Sequence, residues 1–379
     1  MKLVLICGSL APGKDGVGDY TRRLGEYCRE QGHTVLLVGL NDPWIATDQF
    51  SPEEIRFSRA EPSQTRQPRT LFQQGQSYPT RLKKLRTELA AFQPDWISLQ
   101  FVPYAYHRRG FCHELAAHLS SIAPEKTAWH IMFHELWLGL NPADSLKFKL
   151  LGWVQRRAAL RLHRNLHPRV IHTHAYQHFL QSENIHARQL PLFSNIEIHP
   201  PAFTARLNPL QLDSKNGRSP FTAVFFGSLH PEWTPECLMQ KLRGKNPIFF
   251  SLGRLGSTGE TQWNSFADRY KTEASFIRLG ELSSEEISTA LQIADVGIAT
   301  SPWNLIEKSG SVAAMIEHGL PVIVTRNDFL PSENFTPDPS WAAQLHPIWT
   351  ADFDLTRLKK RPPASALPEI GSRFLADLT

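Results

Sequence analysis

Ala294-Asp295-Val296-Gly297-Ile298-Ala299-Thr300-Ser301-Pro302-Trp303, running on through Glu307-Lys308-Ser309-Gly310-Ser311 to Glu317-His318-Gly319-Leu320-Pro321-Val322-Ile323-Val324, decides how this chain is read. The first apolar run has the length of a buried strand. The loop after it carries an acid beside a lysine and small residues, and a helix then leads into a second apolar run. A helix start offers unpaired backbone N–H groups and a partial positive charge, and small residues let a phosphate-bearing ligand reach them. Taken alone, the segment fits a plain strand-helix-strand packing unit equally well. The rest of the chain separates the two readings.

Apolar runs alternate with helical patterns from end to end, the pattern of an α/β protein with parallel sheets. In the first half, strands are expected at 3–7, 34–40, 54–58, 96–100, 128–133, 170–173 and 189–192, with a helix over 19–31 closed by Gly32 as its C′ glycine. The polar, unpatterned stretch 201–220 reads as a linker. The alternation then restarts with strands at 222–226, 248–252, 276–279, 296–299 and 322–324, and with a helix over 285–293 behind the capping serines Ser283 and Ser284. Two doubly wound, Rossmann-like domains follow, at 1–205 and 218–345, with a tail at 346–379 that packs back on the first domain. Ligands in such sheets bind at the carboxyl ends of the strands, so the expected site is a cleft between two facing domains.

The 379 residues exceed the usual size of a single core, and 41% hydrophobic with 20% charged residues is an ordinary globular composition. Cys7, Cys28, Cys112 and Cys237 are scattered, with no metal-ligand spacing, which points to reduced thiols in a cytoplasmic setting. Met1 to Cys7 is too short for the apolar core of a signal peptide, and no apolar run reaches the length of a membrane span. A net charge of +5 without any RNA or DNA signature argues against a nucleic-acid partner.

The positive charge is concentrated at 144–169. Lys147, Lys149, Arg156, Arg157, Arg161, Arg164 and Arg169 face a single acid there, with Leu150, Val154, Ala158, Leu162 and Leu166 recurring every four residues and Leu146, Trp153 and Leu160 widening the stripe. Such a helix can lie on an anionic bilayer at the inner face of a membrane, or pack on a core with a solvated basic face. Arg81, Lys83, Lys84 and Arg86, opposite Leu82, Leu85 and Leu89, read as a solvated helix face.

Residues suited to chemistry gather at strand ends. Gly8 to Thr21 follows the first strand with glycines at 8, 13, 16 and 18, but it is neither a P-loop nor a full dinucleotide fingerprint. Phe133-His134-Glu135 closes the fifth strand, where a histidine could exchange a proton with a hydroxyl. Gln100 to His107 leaves another strand end with aromatics able to stack on a sugar. There is no nucleophilic triad, and Asp352-Phe353-Asp354, lacking a preceding strand, is a chance match, so no metal site is assigned.

Over nearly its whole length the chain resembles the family-4 glycosyltransferases of GT-B fold. The matching pieces are Gly16-Val17-Gly18-Asp19-Tyr20-Thr21, Gly32-His33-Thr34-Val35, His134-Glu135 and Pro191-Leu192-Phe193-Ser194-Asn195-Ile196, followed by Phe226-Gly227-Ser228-Leu229, Leu279-Gly280-Glu281-Leu282-Ser283, Ala294-Asp295-Val296 and His318-Gly319-Leu320-Pro321-Val322-Ile323. The resemblance implies transfer, with retention of anomeric configuration, of a sugar from a nucleotide diphosphate donor held by the C-terminal domain. The acceptor, a saccharide or glycolipid, would lie on the N-terminal domain, as in cell-surface polysaccharide assembly. No cofactor beyond the donor substrate is implied.

Carried over by position, Glu307 would face the donor sugar. Gly310, with Ser309 and Ser311, would present N–H groups to the diphosphate, Gly16 and Gly18 would approach it from the other domain, and His134 would sit beside the transferred sugar. The chain also departs from the family pattern. Eight positions after Glu307, where a second acid is expected, stands Met315, and Glu317 comes two residues later, either as a ribose ligand or as a helix-surface acid. Ser228 and Trp233 replace the basic pair that would neutralise the diphosphate, and losing one such contact raises the barrier by about 3 kcal/mol. Lys308 and Arg254 are the candidate substitutes. The alternative to transfer is a catalytically impaired GT-B protein that binds a sugar, nucleotide or partner; a nucleotide-sugar epimerase of the same fold fits the matched segments less well.

Overall fold

The computed structural model describes residues 1–51, 69–210, 220–329 and 335–379. It comprises two compact units, Met1–Pro191 with Leu367–Thr379, and Leu192–Ala366.

The first unit is built on β1 (Lys2–Cys7), β2 (Thr34–Asp42), β3 (Gln49–Ser51), β4 (Arg69–Gln73), β5 (Trp96–Phe101), β6 (Ala128–Phe133), β7 (Val170–Thr173) and β8 (Arg188–Gln189). Their order is β3-β4-β2-β1-β5-β6-β7-β8, and all neighbours are parallel except β3 with β4. The central strands β5 and β6 are buried at every residue, as expected of a parallel sheet covered on both faces. The chain leaves β1 toward β2 and returns at β5 on its other side, so the strand order reverses between these two strand ends, which is where such sheets hold ligands.

Several boundaries differ from the sequence reading. The first helix starts at Gly16 rather than 19, since Asp15 caps it by accepting the N–H groups of Val17 and Gly18 at 2.8 and 3.3 Å. The strand expected at 54–58 lies outside the described residues, and the place beside β2 belongs to β4, whose two central apolar residues are too few to mark a strand by pattern. The strand expected at 189–192 pairs only over Arg188–Gln189. Arg81 is not solvated. It is buried, with its guanidinium donating to the Leu40 carbonyl at 2.6 Å and to Asn41 at 2.7 Å, and it stacks on Tyr78.

The basic helix spans Leu146–Leu166, and its two halves differ in burial. Ala158, Leu162 and Leu166 are core residues, whereas Leu146, Leu150 and Trp153 are 84%, 66% and 50% exposed. Gly152 anchors it, because a Cβ there would lie 1.8 Å from the Leu138 carbonyl oxygen.

The second unit carries β9 (Thr222–Phe226), β10 (Ile248–Leu252), β11 (Ser275–Gly280), β12 (Val296–Pro302), β13 (Val322–Arg326) and β14 (Leu345–Pro347). All neighbours are parallel in the order β11-β10-β9-β12-β13-β14, with the switch between β9 and β12. Asp295 fixes that junction by accepting both the N–H and the hydroxyl of Thr222, at 2.7 and 2.8 Å. One face packs an aromatic core of Phe225, Trp233, Phe249, Trp263 and Phe266. The helix Ser284–Ile293 opens with a reciprocal capping box between Ser283 and Glu286.

The chain changes units earlier than residue 205. Ser194 and His199 donate their N–H groups to Glu317 and Ser288 at 2.6 and 2.9 Å, and Ala202 donates to Thr289 at 3.0 Å, all within the second unit. The start of the expected linker is a short 3₁₀ turn, Ala205–Leu210, and 211–219 lie outside the described residues. The tail expected at 346–379 also divides. Arg361 and Ala364 bond to the carbonyls of Gly319 and Glu317, both at 2.8 Å, and only Leu367–Thr379 folds with the first unit. There the helix Leu367–Asp377 crosses the first helix so closely that a Cβ on Gly371 would lie 2.3 Å from the Tyr27 ring.

Candidate functional site

At the switch point of the first unit, the loop after β1 and the turn after β5 touch: a Cβ on Gly8 would lie 2.7 Å from that of Ala105. The glycine loop is pinned by Asp42, which accepts the Ser9 hydroxyl at 2.9 Å and the Leu10 N–H at 3.2 Å. Gly18 is required by packing, since a Cβ there would be 2.2 Å from the Ser9 carbonyl oxygen, while Gly16 is exposed at the helix start.

His134, just beyond β6, is buried. Its Nε2 lies 2.9 Å from Gln100 and its Nδ1 3.0 Å from His174, whose Nδ1 lies 2.8 Å from the Leu190 carbonyl oxygen. Tyr20 from the first helix stands edge-on to both rings, its centroid 4.8 Å from that of His134 and 5.7 Å from that of His174. Both nitrogens of His134 are therefore engaged within the protein. Burial, with the neighbouring ring adding to it, pushes its pKa well below the ordinary range, and burial brings His174 to about 4.

In the second unit, three adjacent strands end in left-handed glycines: Gly227 after β9, Gly253 after β10 and Gly280, the last residue of β11, at φ 80°, 81° and 69°. A Cβ on Gly227 would come within 4.0 Å of Ser311, at the start of the helix Gly310–Glu317. Ser309 caps that helix by accepting the Val312 N–H at 3.4 Å and touches the hydroxyls of Ser301 and Ser311 at 3.4 and 3.1 Å. The first N–H groups, at Gly310 and Ser311, have no intrahelical acceptor, and among the described residues no heavy atom outside its chain neighbours and its own helix backbone lies within 4 Å of where a Cβ on Gly310 would sit. The loop can thus admit an anion onto backbone donors. Lys308 and the buried Arg326 add positive charge near His230, whose pKa is lowered first by burial and then by Arg326 and Lys308. Arg326 is itself bound by Glu232 and Asp328 at 2.7 and 2.5 Å.

The other residues singled out from sequence are placed as follows. Glu307 is buried in the loop after β12 and accepts the Asp338 N–H. Arg254 is half exposed and ion-paired with Glu281. Glu317 is buried, with one carboxylate oxygen on Ser194, so it is not a surface acid. Met315 sits on the sheet, its sulfur 2.3 Å from where a Cβ on Gly297 would be. Trp233 points into the core, its ring centroid 5.3 Å from Phe225 and 5.4 Å from Phe266. Among the described residues no group of His, Cys, Asp and Glu could hold a metal ion, and Asp354 caps a 3₁₀ turn.

From sequence His174 ranks below His134, and Gln100 is only the start of a strand-end turn, while Arg326 is passed over. The first two carry a signal, because Ser98 and Gln100, then His130 and His134, then His172 and His174 are polar at even spacing in otherwise apolar runs. That period places each set on one face of the sheet.

Because buried His174 binds its proton only near pH 4 while the unfolded side chain does so near 6.5, the unfolded state takes up more protons in between. Stability is full above pH 6.5, falls as the pH drops through that window, and the loss is complete below about 4. His174 accounts for roughly 3 kcal/mol of it. Urea midpoints from pH 8 to pH 4 should show this decline and a flatter one in His174→Gln; equal slopes in the two proteins would contradict it.

No family model matches the chain, and no curated protein does. Among solved structures it is similar to a sucrose-phosphate synthase from Thermosynechococcus elongatus, at TM-score 0.58 and 16% identity over 100% of this chain and 90% of the other. It is also similar to Anabaena HepE, solved with UDP and glucose (TM-score 0.50, 15% identity) and with UDP-glucose (0.50, 13%), each over 86% of this chain and 81% of the other. With its two Rossmann-like units, the chain has the GT-B fold.

Proposed function

We propose that the protein is a retaining glycosyltransferase that moves a sugar from a nucleotide diphosphate donor to a saccharide or lipid-linked acceptor. The observation that carries this reading is the open anion cradle of the second unit, where Gly227 faces Ser311 at a helix start whose N–H groups at Gly310 and Ser311 have no intrahelical acceptor. HepE, of the same fold, was solved with UDP-glucose, so uridine diphosphate sugars are the first donors to test.

In this reading Gly310, Ser311 and Ser309 bind the diphosphate, and Lys308 neutralises it where Ser228 and Trp233 supply no charge, with Arg254 a second cation. Glu307 is positioned toward the donor sugar by its bond to Asp338, and Gly16 keeps the approach role that the resemblance assigns it. His134 meets the transferred sugar by exchanging its hydrogen bond to Gln100 for one to a hydroxyl. Glu317, spent on Ser194, shapes the loop, and Gly18 serves packing. Preorganised donors aimed at the leaving diphosphate supply the catalysis, without a protein nucleophile.

The acceptor side is read from the helix Leu146–Leu166. Exposed Leu146, Leu150 and Trp153 beside Lys147, Lys149 and Arg157 suit an anionic membrane surface, and this would place the protein peripherally at the inner face. No helix among the described residues is long and apolar enough to cross a membrane.

Incubation with a panel of nucleotide sugars should show slow donor hydrolysis and thermal stabilisation, with hydrolysis lost in Glu307→Gln. Lys308→Glu should weaken UDP binding about tenfold or more, since a charge-assisted bond contributes about 1.5–3 kcal/mol. Stabilisation by a nucleotide without turnover of any donor would favour a binding protein, and no stabilisation by any nucleotide would sink both readings. Sedimentation with phosphatidylglycerol vesicles should carry the protein down and Leu150→Glu/Trp153→Glu should abolish it; equal sedimentation of both proteins would remove the membrane contact.

A further inference from the structure

Six side chains of the first unit join end to end between two acceptors. From the C-terminal helix, Asp377 Oδ2 lies 2.8 Å from His172 Nε2, and His172 Nδ1 lies 3.0 Å from His130 Nε2. His130 Nδ1 lies 2.7 Å from the Ser98 hydroxyl, which lies 2.6 Å from the Gln100 amide. Gln100 then meets His134 Nε2, His134 Nδ1 meets His174 Nε2, and His174 Nδ1 ends on the Leu190 carbonyl, at 2.9, 3.0 and 2.8 Å. His130, His134, His172, His174, Ser98 and Gln100 are all buried.

Each of these seven contacts needs one hydrogen. With every ring neutral, the four imidazoles, the hydroxyl and the amide provide six, because a neutral imidazole donates on one side only and the amide nitrogen can face only one of its two neighbours. Both ends accept only. One contact is therefore short of a hydrogen unless the chain binds an extra proton.

Where the deficit falls follows from the strength of the two ends. The Asp377 carboxylate is a stronger acceptor than the Leu190 carbonyl. In the neutral chain the hydrogens accordingly run toward Asp377, with Gln100 turning Nε2 to Ser98 and Oε1 to His134, the arrangement the structure has. His134 is then the Nε2–H tautomer. A proton added at His172 lets that ring donate to both Asp377 and His130. All seven contacts are satisfied once the Gln100 amide makes a half-turn, exchanging O for N, and His134 becomes the Nδ1–H tautomer.

We propose that Asp377 and Gln100 are positioning residues for His134, and that proton uptake at the His172–Asp377 pair reverses the tautomer of His134 at the far end of the chain. The groups around the pair are Arg188, ion-paired with the other Asp377 oxygen, Arg373 on the same helix, and the Phe374 ring edge-on to His130; Tyr20 faces His134 and His174. Burial opposes the charge on His172 and the Asp377 carboxylate favours it. The inference gains its meaning for catalysis from the preceding reading of His134 at the sugar, but the hydrogen count does not depend on that reading.

The test is the ring ¹⁵N spectrum of the full-length protein from pH 8 to pH 5, with His134→Gln to assign the signals. The wild type should pass from Nε2–H to Nδ1–H at residue 134 as the pH falls. Asp377→Asn, whose amide can donate the seventh hydrogen, should hold Nδ1–H throughout, and Asp377→Glu should restore the change. Should Asp377→Asn fail to fold, Gln100→Met, which cuts the chain, should likewise hold Nδ1–H. A single tautomer in the wild type across the range, or Asp377→Asn or Gln100→Met following the wild type, would overturn the proposal. A tautomer change in a protein that hydrolyses no donor would leave this inference standing and remove the transferase reading.

Discussion

A polar group taken out of water must find a partner inside the protein, and this constraint governs the structure more than any single packing contact. Parallel sheets covered on both faces have no wet side on which to leave a histidine, an arginine or an acid. Those buried among the described residues are tied to backbone or to another side chain, as Arg81 is to the Leu40 carbonyl, Asp295 to Thr222, Glu317 to Ser194, and the histidines in and just beyond β6 and β7 to one another. Such bonds also select conformation, because a low-dielectric interior makes a broken one costly.

The open backbone donors are the exception, and they fall where the topology predicts. At the carboxyl end of the second sheet, left-handed glycines turn the chain away from the ends of β9, β10 and β11, and the helix after β12 begins with its first N–H groups without intrahelical acceptors. The missing basic pair has a physical explanation at one of its two positions. Trp233 is needed by the aromatic core around Phe225 and Phe266 and so faces inward. On the other side of the switch point stand Lys308 after β12 and Arg326 at the end of β13, the latter ion-paired with Glu232 and Asp328.

Much of this was legible in the sequence. The strand runs, the two doubly wound units and the position of His134 at a strand end follow from period and composition, since buried parallel strands are written as short apolar blocks. The unit boundaries were not legible. Residues 192–210 show no helix or strand period, because His199 and Ala202 bond to side chains of the helix Ser284–Ile293 rather than through a ladder, and the return of Leu367–Thr379 to the first unit depends on Gly371 meeting Tyr27 far away in sequence. Arg81 read as a surface charge because its partners lie some forty residues away. The even spacing of Ser98, Gln100, His130, His134, His172 and His174 was visible, but their union into one chain is set by sheet order, which a single sequence does not display.

The central claim is that the second unit receives a nucleoside diphosphate on the backbone of the Gly227 and Gly310 loops. Amide hydrogen exchange of the full-length protein with and without UDP tests it most directly, because donors without intrahelical acceptors exchange quickly until a ligand covers them. Saturating UDP should slow exchange at 227–230 and 309–312 well above the change elsewhere. Binding of UDP that leaves both segments exchanging at their free rates would contradict the account.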